Sequence, residues 1–179
     1  MKNRVVVVLT SSRSVAGLYE IGDQRLSDAL NNTLESVVRL SHATLGRLGN
    51  PSANEPVAEA VVPKAQVALV YMELEPVRPV ERRMSSYVTK QVTDLLVLAA
   101  GLRVAGRAHA SSGFDLVDLH RLVAEAHDRF VVLTDARLAL DIEGTTAREI
   151  GVAMVNTRHM QFVARSEDRT AQTETRRRA

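Results

Sequence analysis

The apolar positions fall into short blocks dense in β-branched residues, separated by polar turn formers. Arg4–Thr10 (RVVVVLT) is a nearly continuous apolar run, the pattern of a strand buried on both faces. The "TSSRS" that follows supplies turn formers. Ser14–Ile21 then resumes as a second strand, which predicts a β-hairpin. A short helix is expected over Gln24–Asn32, with Asp23 as its N-cap. Ser36–Leu45 and Gln66–Arg78 read as a third and a fourth strand. Gly46–Lys64 lies between them; its Gly, Pro, Asn and Ser content reads as an exposed connecting loop.

The same order recurs in the second half. Leu96–Ala105 (LVLAAGLRVA) repeats the frame of Val7–Ala16 (VVLTSSRSVA), and a glycine follows each, Gly17 and Gly106. Asp28 then matches Asp118, Val37–Leu45 matches Phe130–Leu138, and Val67–Val77 matches Val152–Val163. The collinear series, rather than any single pair, carries the inference of an internal duplication. A second helix is expected to start at Ser112 or Gly113, with Leu116, Leu119, Leu122, Val123 and Ala126 on one face. Strands over Arg129–Leu140 and Glu149–Arg165 complete the second copy.

The expected fold is therefore α+β and β-rich. It has two tandem β-β-α-β-β repeats packed as a pseudo-two-fold pair with small-barrel or sandwich-like sheets; one continuous mixed sheet is the alternative. The repeats span 1–80 and 89–165, joined by a linker at 81–88, and a polar, basic tail at 166–179 is expected to be disordered. Gly17 and Gly106 fall inside the second strand of each hairpin, where a glycine marks a bulge, a bend or a close backbone approach.

Composition narrows the function classes. With three Phe, three Tyr and no Trp, the core must be aliphatic, and the usual stacking platforms for single-stranded nucleic acid are scarce. No cysteine is present, which excludes disulfides and thiolate metal sites. No segment has the length of a membrane span or the pattern of a signal peptide, so a cytoplasmic protein without membrane association is expected. The net charge of +2 matches that of Arg165–Ala179, five Arg against two Glu and one Asp, which leaves the body neutral.

The candidate chemistry is sparse. Asp28 and Asp118 occupy matched positions and could pair as acid–base or metal-binding carboxylates; the simpler reading is that each tethers its helix. His120 and His127 lie seven apart, too far along a helix for the i, i+4 spacing that metal ligands prefer. His42 matches Asp135, a swap that suits an exposed position better than a catalytic one. Arg78, Arg82 and Arg83 form the basic cluster of the body, an anion or partner contact set beside Glu73, Glu75 and Glu81. No nucleophile elbow, phosphate loop or dinucleotide fingerprint is present, so neither a metal nor a cofactor is expected.

These residues favour a non-catalytic binding or assembly module that contacts a protein partner or itself. Two alternatives belong to other classes. One is a small-molecule enzyme with a cleft between the repeats. The other is a nucleic-acid-binding protein: the strand, polar turn and glycine-bearing strand, followed by Asp28, Leu30 and Asn31, resemble the first motif of Sm-like small barrels, which bind RNA. The chain has a helix where that family has a short turn, and it lacks the family's Arg-Gly-type second motif. No RNA-binding residue carries over.

Overall fold

The computed structural model describes residues 2–48, 50–72, 91–110, 117–120, 129–142 and 145–166. In the first half these form β1 (Lys2–Leu9), β2 (Arg13–Glu20), α1 (Leu26–Asn31), β3 (Val37–Arg47), β4 (Asn50–Pro63), a 3₁₀ turn (Lys64–Gln66) and β5 (Val67–Met72). The second half has β6 (Gln91–Ala99), β7 (Leu102–Ala110), a helical turn at 117–120, β8 (Phe130–Leu140), β9 (Arg148–Asn156), a 3₁₀ turn (Thr157–His159) and β10 (Met160–Arg165). All ten strands join one antiparallel sheet in the order β10-β6-β7-β8-β9-β5-β1-β2-β3-β4, and the sheet is open.

The sheet is continuous, and it is purely antiparallel rather than mixed. Each half has five strands where four were expected. The added strand in the first half is β4, which occupies most of the segment read as a loop. Proline and polar residues can populate β4 because it lies at the end of the sheet, where one row of backbone groups needs no ladder partner. In the second half, the long segment Glu149–Arg165 is broken by the 3₁₀ turn into β9 and β10. The position that β5 holds in the strand order of the first half is thus held in the second by β10, not by the β9 residues that its sequence matches.

Period-2 alternation explains the valine run of β1. Val5 and Val7 face one buried cluster with Val15, Leu40, Val62 and Val70. Val6 and Val8 face the other, with Leu69, Leu102, Val104 and Val155. The two cores lie on opposite faces of the sheet where the halves meet, so β1 is buried on both sides. The halves join where β5 pairs β9 over the short register Leu69↔Val155, Val70↔Met154 and Tyr71↔Ala153.

Among the described residues, no helix is long and apolar enough to cross a membrane. The linker 81–88, Arg78, Arg82, Arg83, His127 and the tail from 167 lie outside the described residues.

Candidate functional site

Gly17 and Gly106 sit opposite matched irregularities in the strand beside them. The β2–β3 register slips between Ala16 and Leu18, and the β7–β8 register slips between Ala105 and Arg107. A Cβ on Gly17 would lie 3.0 Å from Leu40 Cβ, 3.2 Å from Ser41 O and 3.3 Å from Ala43 Cα. On Gly106 it would lie 3.0 Å from Leu133 Cβ, 3.0 Å from Thr134 O and 3.3 Å from Ala136 Cα. The bulged strand therefore crosses each glycine at backbone contact distance.

His42 and Asp135 are the residues that make those bulges. Both are exposed, and both take left-handed backbone, with φ of 48° and 49°. His and Asp are among the few non-glycine residues that populate this region readily. The matched pair thus serves backbone geometry. Asp135 also accepts a hydrogen bond from Arg107 at 3.0 Å, on the surface.

Asp28 is exposed on α1 and accepts a hydrogen bond from its neighbour Ser27 at 3.3 Å. Asp118 is half-buried on the helical turn, and His120 beside it is exposed. No group of three or more His, Asp or Glu among the described residues could hold a metal ion.

Three polar side chains bridge elements in a way that sequence reasoning missed, Lys64 and Asn156 buried and Asn31 half-buried. Lys64 Nζ donates to the carbonyls of Ala29 and Asn32, at 3.0 and 2.9 Å, at the C-terminal end of α1. A cation there satisfies carbonyls that no later turn can reach. Burial pushes the Lys64 amine below its usual range, and Glu35 pulls it partly back. Asn31 pairs with the first residue of β8: its amide donates to Phe130 O at 3.0 Å and its carbonyl accepts from Phe130 N at 2.7 Å. Asn156 donates to Lys64 O and Val67 O and accepts from the Arg158 N–H. Asn31 and Asn156 therefore both bind the first half to the second. Asn31 stands in the stretch that resembles the Sm-like motif, which does not point to this bridging role, and Asn156 belongs to no motif; a lone amide gives no sequence signal of such a contact.

Tyr19 is buried in the first core, and its phenol is pushed above the ordinary value of about 10 by burial first and by Glu35 second. The folded chain thus holds the phenolic proton more tightly than the unfolded chain. Stability carried by Tyr19 is complete below pH about 10 and is lost as pH rises through the folded-state value. Urea midpoints of the native chain should fall across that alkaline range relative to those of Tyr19→Phe. A constant difference would contradict the burial.

An open groove marks the described surface. It holds about 460 Å3 between the β1–β2 turn and β4, walled by Leu9, Val15, Leu45, Val57, Ala60 and Val62, with Thr10, Glu59 and Gln66 also lining it. The groove is the uncovered mouth of the first core. It runs beside a free strand edge: among the described residues, β4 pairs with β3 alone and β10, at the other end of the sheet, with β6 alone. Each edge carries an exposed large apolar side chain, Val61 on β4 and Phe162 on β10. Comparison with known protein families, curated proteins and solved structures finds no match in any of the three.

Proposed function

We propose that the chain is a tandem duplication of one five-stranded unit and acts as a non-catalytic assembly module that binds protein through its sheet edges. The strand order β5-β1-β2-β3-β4 in the first half parallels β10-β6-β7-β8-β9 in the second, with a 3₁₀ turn before the last strand of each. The bulges opposite Gly17 and Gly106, crossed by Leu40, Ser41 and Ala43 in one half and by Leu133, Thr134 and Ala136 in the other, support the same reading.

The observation that carries the function is the junction of the halves. The chain already uses edge-to-edge strand pairing, β5 on β9, as its way of joining one unit to another. Among the described residues it leaves two further edges of the same kind, β4 and β10, each with an apolar side chain in the open. Unpaired edges are normally blunted by charge or cover because they recruit other strands. Edges with exposed Val and Phe fit the recruitment of a strand from a protein partner.

The test uses the intact chain and its V61E/F162E variant as baits in mild pull-downs from the protein's own cells. A polypeptide, whether another copy or a different chain, should be retained by the first bait and lost from the second, with both baits folded by circular dichroism. Retention that is indifferent to the substitutions, or retention of nucleic acid that salt releases, would overturn the reading.

A further inference from the structure

Resting on that reading, we infer that the partner is a second copy of this chain, with β10 of one copy pairing antiparallel to β4 of the next so that Phe162 lies opposite Val62, and Leu96, Leu98 and Phe162 lie over the open groove.

The register follows from strand pairings inside the chain. In the first half β5 meets β1 with a slip at Val8/Leu9, Leu69 lying opposite Val8. In the second half β10 meets β6 with a slip between Met160 and Phe162, Phe162 lying opposite Leu98. Val8 opposes Ser14 and Leu98 opposes Arg103, each three residues before its bulge glycine, so the strand pairing matches Val8 to Leu98, one place on from the sequence match to Val97, and Leu69, Val70 and Tyr71 correspond to Phe162, Val163 and Ala164. On the other strand, Ala60 opposes Leu40 and Ala153 opposes Leu133, the two leucines that press on the bulge glycines. Ala153, Met154 and Val155 therefore correspond to Ala60, Val61 and Val62. Carrying the β5–β9 register onto these residues sets Phe162 opposite Val62, Val163 opposite Val61 and Ala164 opposite Ala60.

Exposure marks the same residues. Leu69 is 0% exposed at the internal junction, but its counterpart Phe162 is 46% exposed; Met154 is 2% exposed, but Val61 is 63% exposed. The difference extends across the face. Val6 and Val8 are buried under the second half, in a cluster with Val104, Leu138 and Val155. Their counterparts Leu96 and Leu98 are only partly covered. The counterparts of Val104, Leu138 and Val155 are Val15, Leu45 and Val62, three walls of the open groove. One end of the chain thus has an uncovered apolar face, and the other end has an uncovered apolar mouth of the type that covers that face internally.

Charge agrees with the apolar match. One step beyond Ala164 and Ala60, the same register brings Arg165 opposite Glu59; both are exposed in the single chain. The contact joins two different surfaces and is heterologous, so copies add head to tail until a ring closes or a filament forms.

The absence of native cysteine makes the register directly testable. The unmodified chain should sediment at an integer multiple, two or more, of 19.6 kDa, and F162E should sediment as a monomer with its circular dichroism unchanged. Under mild oxidation, V61C and V163C should each stay uncrosslinked alone and form a disulfide-linked pair when mixed. Glu59→Arg should weaken assembly, and the charge-swapped E59R/R165E chain should recover it. A native chain that stays monomeric at 100-fold the concentration of the mixing experiment, about a 2.7 kcal/mol allowance, would overturn the inference. So would a V61C chain that crosslinks to itself as readily as to V163C. If the chain is monomeric yet the edge-dependent pull-down still retains a different polypeptide, the second copy is excluded and the edge-binding module stands.

Discussion

Gly106→Val should leave little or no folded protein, and Gly106→Ala should cost about 1–3 kcal/mol of stability, the range for forcing extra carbon into a closed contact. The reason is what surrounds the missing Cβ. Its neighbours are Leu133 Cβ and Thr134 O, both at 3.0 Å, and Ala136 Cα at 3.3 Å. None of these atoms is the end of a flexible side chain. Making room means pushing β8 off β7 at the bulge, where the ladder is already irregular. Gly17 faces the same arrangement, so Gly17→Ala should cost a similar amount. Gly101 is the control. It stands in open space, but its φ is +75° in the β6–β7 turn. Gly101→Ala should therefore lose only about 1 kcal/mol through backbone conformation, and Gly101→Asn should recover part of that, since Asn tolerates left-handed backbone. Gly106→Asn should recover nothing. Urea midpoints for the six variants decide the matter. A Gly106→Ala chain as stable as the native one would mean that the close crossing is absent in solution.

Those two glycines were legible in the sequence because their recurrence at matched positions needs a shared geometric cause. The valine run of β1 was legible for a similar reason: four consecutive β-branched residues can be satisfied by a strand with two buried faces. β4 was missed on equally physical grounds. "NPSANEPVAEAVVP" has the composition of a loop, and the residues that turn toward the core, Val57, Ala60 and Val62, do not keep a strict period of two. An edge strand can tolerate such composition, and nothing local announces that a segment will lie at an edge. The break between β9 and β10 was missed because Val152–Val163 is apolar at both ends. Its 3₁₀ turn is held by Asn156 and by His159, whose Nε2 lies 2.8 Å from Ala65 O in the other half. Contacts of that range cannot be read along the chain. Asp28 and Asp118 show the converse: matched acidic residues attracted attention, yet Asp28 is an exposed residue bonded to its neighbour.

Removing the amide of Asn156 should strike the structure at the seam between its halves. Among the described residues that seam has three register pairs, so side chains that bridge it carry weight out of proportion to their number. Asn156 is 0% exposed; its Nδ2 donates to Lys64 O at 3.2 Å and Val67 O at 2.9 Å, and its Oδ1 accepts from Arg158 N at 3.0 Å. Asn156→Ala strands those groups away from water and should cost about 2–4 kcal/mol, since each unsatisfied buried group costs roughly 1–3. Asn156→Asp separates the donor from the shape. It keeps an oxygen for the Arg158 N–H, but it turns a carboxylate toward two carbonyl oxygens in a buried site. At neutral pH it should be less stable than Asn156→Ala. Burial and the facing carbonyls would raise the folded-state carboxyl above its unfolded value. The variant should then regain stability as pH falls through that raised range, where a protonated carboxyl can again donate to a carbonyl. Denaturation midpoints of the two variants from neutral to mildly acid pH should therefore converge. Parallel curves, or an Asp variant as stable as the Ala variant at pH 7, would mean that the Asn156 amide does not hold the seam.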